Sequence, residues 1–163
     1  MNSSIILAAG EGTRMKSKHS KVLTKLLNRP LLGYVLDALE GAGVDKKVVI
    51  VGRNESQVKA LYGERCLYVK QEIGEDIPYG TGYAASLGVE LLDDQDSVLL
   101  VCGDTPLVRK ESLQELLELH ETEGNAATVM SGTKDDPFNY GRIVRDASDN
   151  FIGIVEEKDC TAD

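Results

Sequence analysis

Residues 5–15 read Ile-Ile-Leu-Ala-Ala-Gly-Glu-Gly-Thr-Arg-Met. An apolar run is followed by a glycine turn and then by a basic segment that reaches Lys21. Ile5 to Ala9 is short and uninterrupted, the pattern of a parallel strand covered on both faces. Gly10 and Gly12 tolerate positive φ and carry no Cβ, so backbone amides there can close on an anion. Arg14 and Lys21 add positive charge on flexible stems. The order suits a buried strand that delivers its amides to phosphate groups.

Charge placement sharpens that reading. The chain has a formal net charge of -9, yet no Asp or Glu stands between Gly12 and Val35. That window holds Arg14, Lys16, Lys18, Lys21, Lys25 and Arg29, a +6 segment that leaves -15 elsewhere. One loop therefore carries the asymmetry. A solvated basic loop has the same composition, but directly after a strand and a glycine turn the pattern favours a polyphosphate ligand. An acidic protein with one basic loop does not look like a nucleic-acid binder, which needs a wider basic face.

With 163 residues, 42% of them hydrophobic and 28% charged, the chain fits one soluble domain with a usable core. No apolar run approaches the ~20 residues of a membrane span, and the first strand begins too early for a signal peptide. Cys66, Cys102 and Cys160 are odd in number and lack metal-type spacing. Cys66 and Cys102 lie in strand-like surroundings, so inert buried thiols in a reducing compartment, the cytoplasm, are expected.

Strand and helix signals alternate along the rest. Pro30 opens a helix whose Leu31, Leu32, Val35, Leu36 and Leu39 recur at helical spacing, ended by Gly41 and Gly43. Lys47 to Val51 reads as a strand. Asn54, with Gln57 three residues on, resembles an N-cap pair opening a helix that stops at Gly63. Cys66 to Val69 reads as a strand and Tyr83 to Leu92 as a helix. Ser97 to Cys102 reads as a fully buried strand, and Glu111 to Glu121 as an amphipathic helix with Leu113, Leu116, Leu117 and His120 in one stripe. Ala126 to Met130 reads as a further strand, and Arg142 to Arg145 pairs with Phe151 to Glu156 across Asp149-Asn150.

This alternation predicts an α/β fold, a Rossmann-like, mostly parallel sheet with helices on both faces. Ligands of such sheets bind beyond the carboxyl ends of the strands. The glycine loop, Gly80-Thr81-Gly82 and Gly103-Asp104 should gather there as one composite site. A Walker loop is excluded because no Gly-Lys-Ser/Thr occurs, and Met15 stands where a dinucleotide fingerprint needs a small residue. Asp104 ends an apolar strand, where a carboxylate is costly unless paired or bound to a metal. It suits either an Mg²⁺ ligand completed by phosphates and water or a cap of the turn before Thr105-Pro106. Neither His19 nor His120 belongs to a base or zinc constellation.

The string Leu7-Ala-Ala-Gly-Glu-Gly-Thr-Arg-Met-Lys-Ser17, then Lys21-Val22-Leu23, resembles the bacterial sugar-phosphate nucleotidyltransferases. The likeness is strongest to the uridylyltransferase domain of the bifunctional N-acetylglucosamine-1-phosphate uridylyltransferases / glucosamine-1-phosphate acetyltransferases. It continues through Gly80-Thr81-Gly82, Gly103-Asp104-Thr105-Pro106-Leu107, Asp136-Pro137, Tyr140-Gly141-Arg142-Ile143 and Ile154-Val155-Glu156-Glu157-Lys158-Asp159. The resemblance implies that Leu7, Ala8, Ala9 and Gly10 hold a nucleotide through backbone contacts and that Lys21 meets its phosphates. It implies that Gln71, Gly80 and Thr81 read uracil, that Cys102, Gly103 and Asp104 approach the ribose and metal, and that Asp104 binds Mg²⁺. Gly141 and Glu156 are implied to bind the amino sugar, although a tight bend and a solvated strand residue are the plain alternatives.

The implied reaction is attack of N-acetylglucosamine 1-phosphate on the α-phosphorus of UTP, with Arg14 and Lys21 as catalytic cations and no nucleic-acid or membrane partner. Ser20 precedes Lys21 where the family usually carries proline, and the loop between Gln71 and Gly80 is longer and more acidic than the family's. The chain ends at Asp163 without the acetyltransferase β-helix, so a single nucleotidyltransferase domain incomplete at its C-terminal end is expected, with oligomeric state left open. Two alternatives stay open: a cytidylyl- or guanylyltransferase of another pathway, and a nucleotide-binding module without turnover.

Overall fold

Strand β1 (Asn2–Leu7) lies inside a four-stranded sheet and takes partners on both edges. The computed structural model describes residues 1–10, 20–72, 74, 77–78 and 80–161. After β1 come a short 3₁₀ turn at Lys21–Leu23 and a two-stranded ribbon, β2 (Lys25–Leu26) with β3 (Arg29–Pro30). Helix α1 (Leu31–Gly41) leads to β4 (Lys46–Val51), α2 (Glu55–Tyr62) and β5 (Leu67–Lys70). Helix α3 (Thr81–Val89), β6 (Ser97–Cys102) and α4 (Lys110–Glu123) follow. The sheet order is β5-β4-β1-β6, and every pairing in it is parallel. The expected α/β architecture is the one observed.

Continuous apolar strands demand cover on both faces, and the helices supply it. On one face Ile6, Val49, Val51 and Leu99 pack with Leu32, Val35, Leu36 and Leu39 of α1 and with Leu113 and Leu117 of α4. On the other, Ile5, Val48 and Ile50 pack under Ala84 and Leu87 of α3. Along α1 the four leucine and valine positions repeat at i, i+3, i+4 and i+7, which puts them on one stripe. The solvent side of α1 is pinned by ions: Arg29 pairs with Asp37 at 2.6 Å, and Arg65 reaches Asp37 at 3.1 Å and Glu40 at 3.0 Å.

Three expectations need correction. Strand β6 is not fully buried: Val98 and Leu100 are 43% and 49% exposed. It is an edge strand, and α3 packs over β1 and β4 instead. Ala126 to Met130 forms no strand, since residues 127–135 hold neither helix nor strand and pair with no sheet. Apolar composition makes a strand only when a neighbour lies alongside to complete the ladder. Asn54 does precede α2, but its side chain makes no cap hydrogen bond; it bonds instead to Gly52, Ala8 and Ser20.

Contacts divide the chain into two compact units, Met1–Ala126 and a second from Ala127 on. The second unit is built on the antiparallel hairpin β7 (Arg142–Arg145) and β8 (Phe151–Val155). Its turn is held by the Asp146 carboxylate, which accepts from the backbone of Ser148 and Asn150 and from the Asn150 amide. Those three donors keep the Asp146 carboxyl below the usual range. Among the described residues no helix is long and apolar enough to cross a membrane.

Candidate functional site

The carboxyl ends of β1 and β6 open into a cleft of about 260 Å³. Register puts Leu7 beside Cys102, and the Gly103 amide donates to the Leu7 carbonyl at 2.9 Å, so both strands end level. Leu7, Ala9 and Gly10 form one wall, and Cys102 and Asp104 another. Gln71, Gly80 and Thr81 close it, and Lys21 reaches in from the 3₁₀ turn. Nine residues expected from sequence thus meet at one opening. Val22 and Ala84 also line it; Val22 stands in the Lys21-Val22-Leu23 string with no role assigned to it, and nothing in the local sequence marks Ala84.

Each wall has a local cause. Gly80 sits at φ 125°, a conformation that lets the chain turn straight into α3 and that a side chain would strain. The first amides of α3 have no partner within the helix, so this end carries partial positive charge at the cleft. Gln71 is 5% exposed, and its amide continues the β4 ladder by donating to the Val51 carbonyl at 2.8 Å.

Lys21 and Asp104 form an ion pair across the mouth, with side chains 45% and 24% exposed. Both therefore remain within reach of a ligand. Cys102 departs from expectation: it is exposed in the cleft, as is Cys160 elsewhere, while Cys66 is buried as expected. At the end of an edge strand the Cys102 side chain meets the opening and not a helix. Desolvation by the cleft walls, then the Asp104 carboxylate, push its thiol pKa up, with Lys21 pulling the other way. The same burial effect raises Cys66. Neither environment favours a reactive thiolate.

Ala8 and Gly103 do not line the cleft. The Ala8 side chain is buried in the core, and Gly103 is buried behind the opening. Their part is backbone: Ala8 donates to Ile50 at 2.9 Å, and its carbonyl accepts from Asn54 at 3.1 Å. Arg14 and Gly12 lie outside the described residues.

Gly141 and Glu156 belong to the second unit and come together within it. A Cβ on Gly141 would stand 3.0 Å from Ile154 and 3.7 Å from the Glu156 carboxylate. Beside them Arg142 donates to Glu157 at 2.6 Å and to the Pro137 carbonyl at 2.9 Å.

Among the described residues no three His, Cys, Asp or Glu side chains converge as a metal cage. A single carboxylate at an open cleft does fit an ion that takes one or two carboxylates and completes its shell with phosphates and water. A second cleft of about 380 Å³ shares Gln71 and is lined also by Arg53, Lys70, Glu55 and Glu72, a mixture of both signs.

Residues 4–158 match the MobA-like NTP transferase domain. "Bifunctional protein GlmU" of Thermoanaerobacter pseudethanolicus is 45% identical over 157 residues, 96% of this chain and 34% of that protein. The protein of the same name from Staphylococcus saprophyticus is 44% identical over 158 residues, again 96% and 34%. The chain thus spans about a third of the length of these relatives. Among solved structures, Rv0371c of Mycobacterium tuberculosis superposes with a TM-score of 0.63 at 22% identity, covering 74% of this chain and 60% of that one. Mth528, a nucleotidyl transferase from Methanothermobacter, gives 0.60 at 24% identity, covering 72% and 57%. At these identities the structural likeness speaks to the fold.

Proposed function

Because this chain belongs to the MobA-like NTP transferase family, we propose that it transfers UMP from UTP to N-acetylglucosamine 1-phosphate. The products are UDP-N-acetylglucosamine and pyrophosphate. The observation that carries this reading is the convergence of the end of β1, Lys21 and Asp104 at one cleft. The specific substrates rest on similarity to proteins named bifunctional GlmU and on the Tyr140-Gly141-Arg142 and Val155-Glu156-Glu157-Lys158 strings.

The chemistry needs no general base. A phosphate monoester has its second pKa near ~6, so the acceptor is already anionic at neutral pH. Its oxygen forms a bond to the α-phosphorus while the bond from that phosphorus to the bridging oxygen breaks, and pyrophosphate leaves with the electron pair. The protein must align these groups and offset their repulsion. Backbone amides of Ala9 and Gly10 and the amino end of α3 hold phosphate and base, Gln71 and Thr81 read uracil, and Lys21 stands against the phosphates. Arg14 supplies a second cation from the same loop, and Gly141 and Glu156 hold the amino sugar. Asp104 would hold Mg²⁺, whose chemistry is charge neutralisation on the transferring phosphates. The absence of paired cysteines among the described residues and the use of UTP suit a cytoplasmic protein.

The test is a panel of four nucleoside triphosphates against several sugar 1-phosphates, with Mg²⁺, read by pyrophosphate release. Release that requires UTP and N-acetylglucosamine 1-phosphate supports the proposal. A preference for CTP or GTP replaces the substrates while leaving the reaction. Tight nucleotide binding with no release selects a binding module.

A further inference from the structure

One side chain touches both Ala8, just past the end of β1, and Ser20, just before the turn that carries Lys21. Asn54, 8% exposed in the turn between β4 and α2, donates from Nδ2 to the Ala8 carbonyl at 3.1 Å and to Ser20 Oγ at 2.9 Å. Its Oδ1 accepts the Gly52 amide at 2.9 Å. Both Nδ2 hydrogens and the carbonyl are therefore in use, the condition under which a buried amide is tolerated. We infer that Asn54 is a positioning residue, a latch that ties Ser20 to the end of β1 and thereby sets Lys21 against the cleft. It does not line the cleft and acts through Ser20 and Ala8.

Two features make Ser20 the sensitive end of this latch. Its backbone stands at φ -56° and ψ 139°, the conformation that a proline ring would impose covalently. Its carbonyl also starts the turn that carries Lys21, accepting from Leu23 at 3.0 Å, while Lys21 accepts from Thr24 at 3.1 Å. Val22, 4% exposed, anchors that turn in the core. A side-chain hydrogen bond thus holds here what a ring could hold without one, which yields a rescue experiment.

The inference rests on the reading that the cleft takes a nucleotide, and two readouts separate the claims. Mg-UTP affinity is measured by calorimetry, and exchange of the Leu23 and Thr24 amides is measured in the ligand-free protein. Ser20→Ala removes one bond of the latch and should weaken UTP binding roughly three- to tenfold, the net worth of one hydrogen bond, while speeding exchange at both amides. Asn54→Ala should do the same and also lower the melting temperature. Ser20→Pro placed in the Asn54→Ala background should restore affinity and slow exchange without restoring the melting temperature, a split that a purely structural role does not produce. Ser20→Ala binding UTP as the wild type does, or the proline failing to restore affinity, overturns the latch. If the wild type binds no UTP, the proposed function falls, and the exchange of Ser20→Ala alone decides: faster supports the latch, unchanged refutes it.

Discussion

Replacing Gly52 by alanine is expected to damage the base of the cleft, and its size can be worked from the structure. The added Cβ would lie 2.8 Å from the Ala9 carbonyl oxygen, about 0.6 Å inside the 3.4 Å at which ordinary contact begins. The obstacle is backbone and cannot rotate away. The residue before it is held on both sides, by the Ala8 amide on Ile50 and the Ala8 carbonyl under Asn54. Overpacking of this kind costs about 1–3 kcal/mol, and each kcal/mol moves the melting temperature of a domain this size by roughly 2–4 °C. A loss of about 2–12 °C follows. The matched control is Gly82→Ala, where nothing lies within 4 Å and alanine improves a helical position by about 0.5–1 kcal/mol. Circular-dichroism melts and urea titrations of both variants should move in opposite directions. A Gly52→Ala protein that melts with the wild type, or two variants that fall together, would show that the Ala9 carbonyl does not limit residue 52.

Lys21→Ala should lower turnover by about a hundredfold or more while costing under about 1 kcal/mol of stability, since the Lys21–Asp104 pair is partly exposed; pyrophosphate release beside a melt checks both, and near-normal turnover removes Lys21 from the mechanism. Arg29 and then Arg65 hold the Asp37 carboxyl below its ordinary value, and Arg65 holds Glu40 below. Depressed folded-state values mean stability that is complete above the unfolded pKa values near about 4 and lost as pH falls through the folded ones. Arg65→Met should therefore narrow the stability gap between pH 7 and about pH 3, by a few tenths to about 1 kcal/mol given the exposure of these groups; a urea series in which the variant loses equally at both pH values contradicts it. Leu27, 88% exposed at φ 48° in the turn joining β2 and β3, pays for a left-handed conformation that asparagine adopts readily. Leu27→Asn should raise the melting temperature by a few degrees, and a fall would show that the leucine has an unseen partner.

What the sequence disclosed divides along the range of the interactions involved. β1, β4 and α1 were legible because a strand covered on both faces is continuously apolar and a helix on its face repeats at i, i+3 and i+4. β6 has the same composition, yet whether a helix covers it depends on where α3 lands, 15 or so residues away in sequence and set by packing on Ile5 and Val48. Asn54 shows the limit most clearly. Its local setting suggested a cap, whereas its real partners are Gly52 next door and Ala8 and Ser20 far back along the chain. The cleft was legible as a set of glycine turns at strand ends, because a parallel sheet gathers those ends by topology. Cys102 was expected inside by type, and its exposure follows from lying where β6 stops.

A nucleotide seated where β1 and β6 end is open to an amide-resolved NMR titration with Mg-UTP. Saturable shifts are expected at Ala9, Gly10, Gln71, Thr81 and Cys102, with the amides around Arg53 and Ser56 much less affected. Shifts centred on Arg53 and Ser56, or none at saturating nucleotide, would contradict that seating.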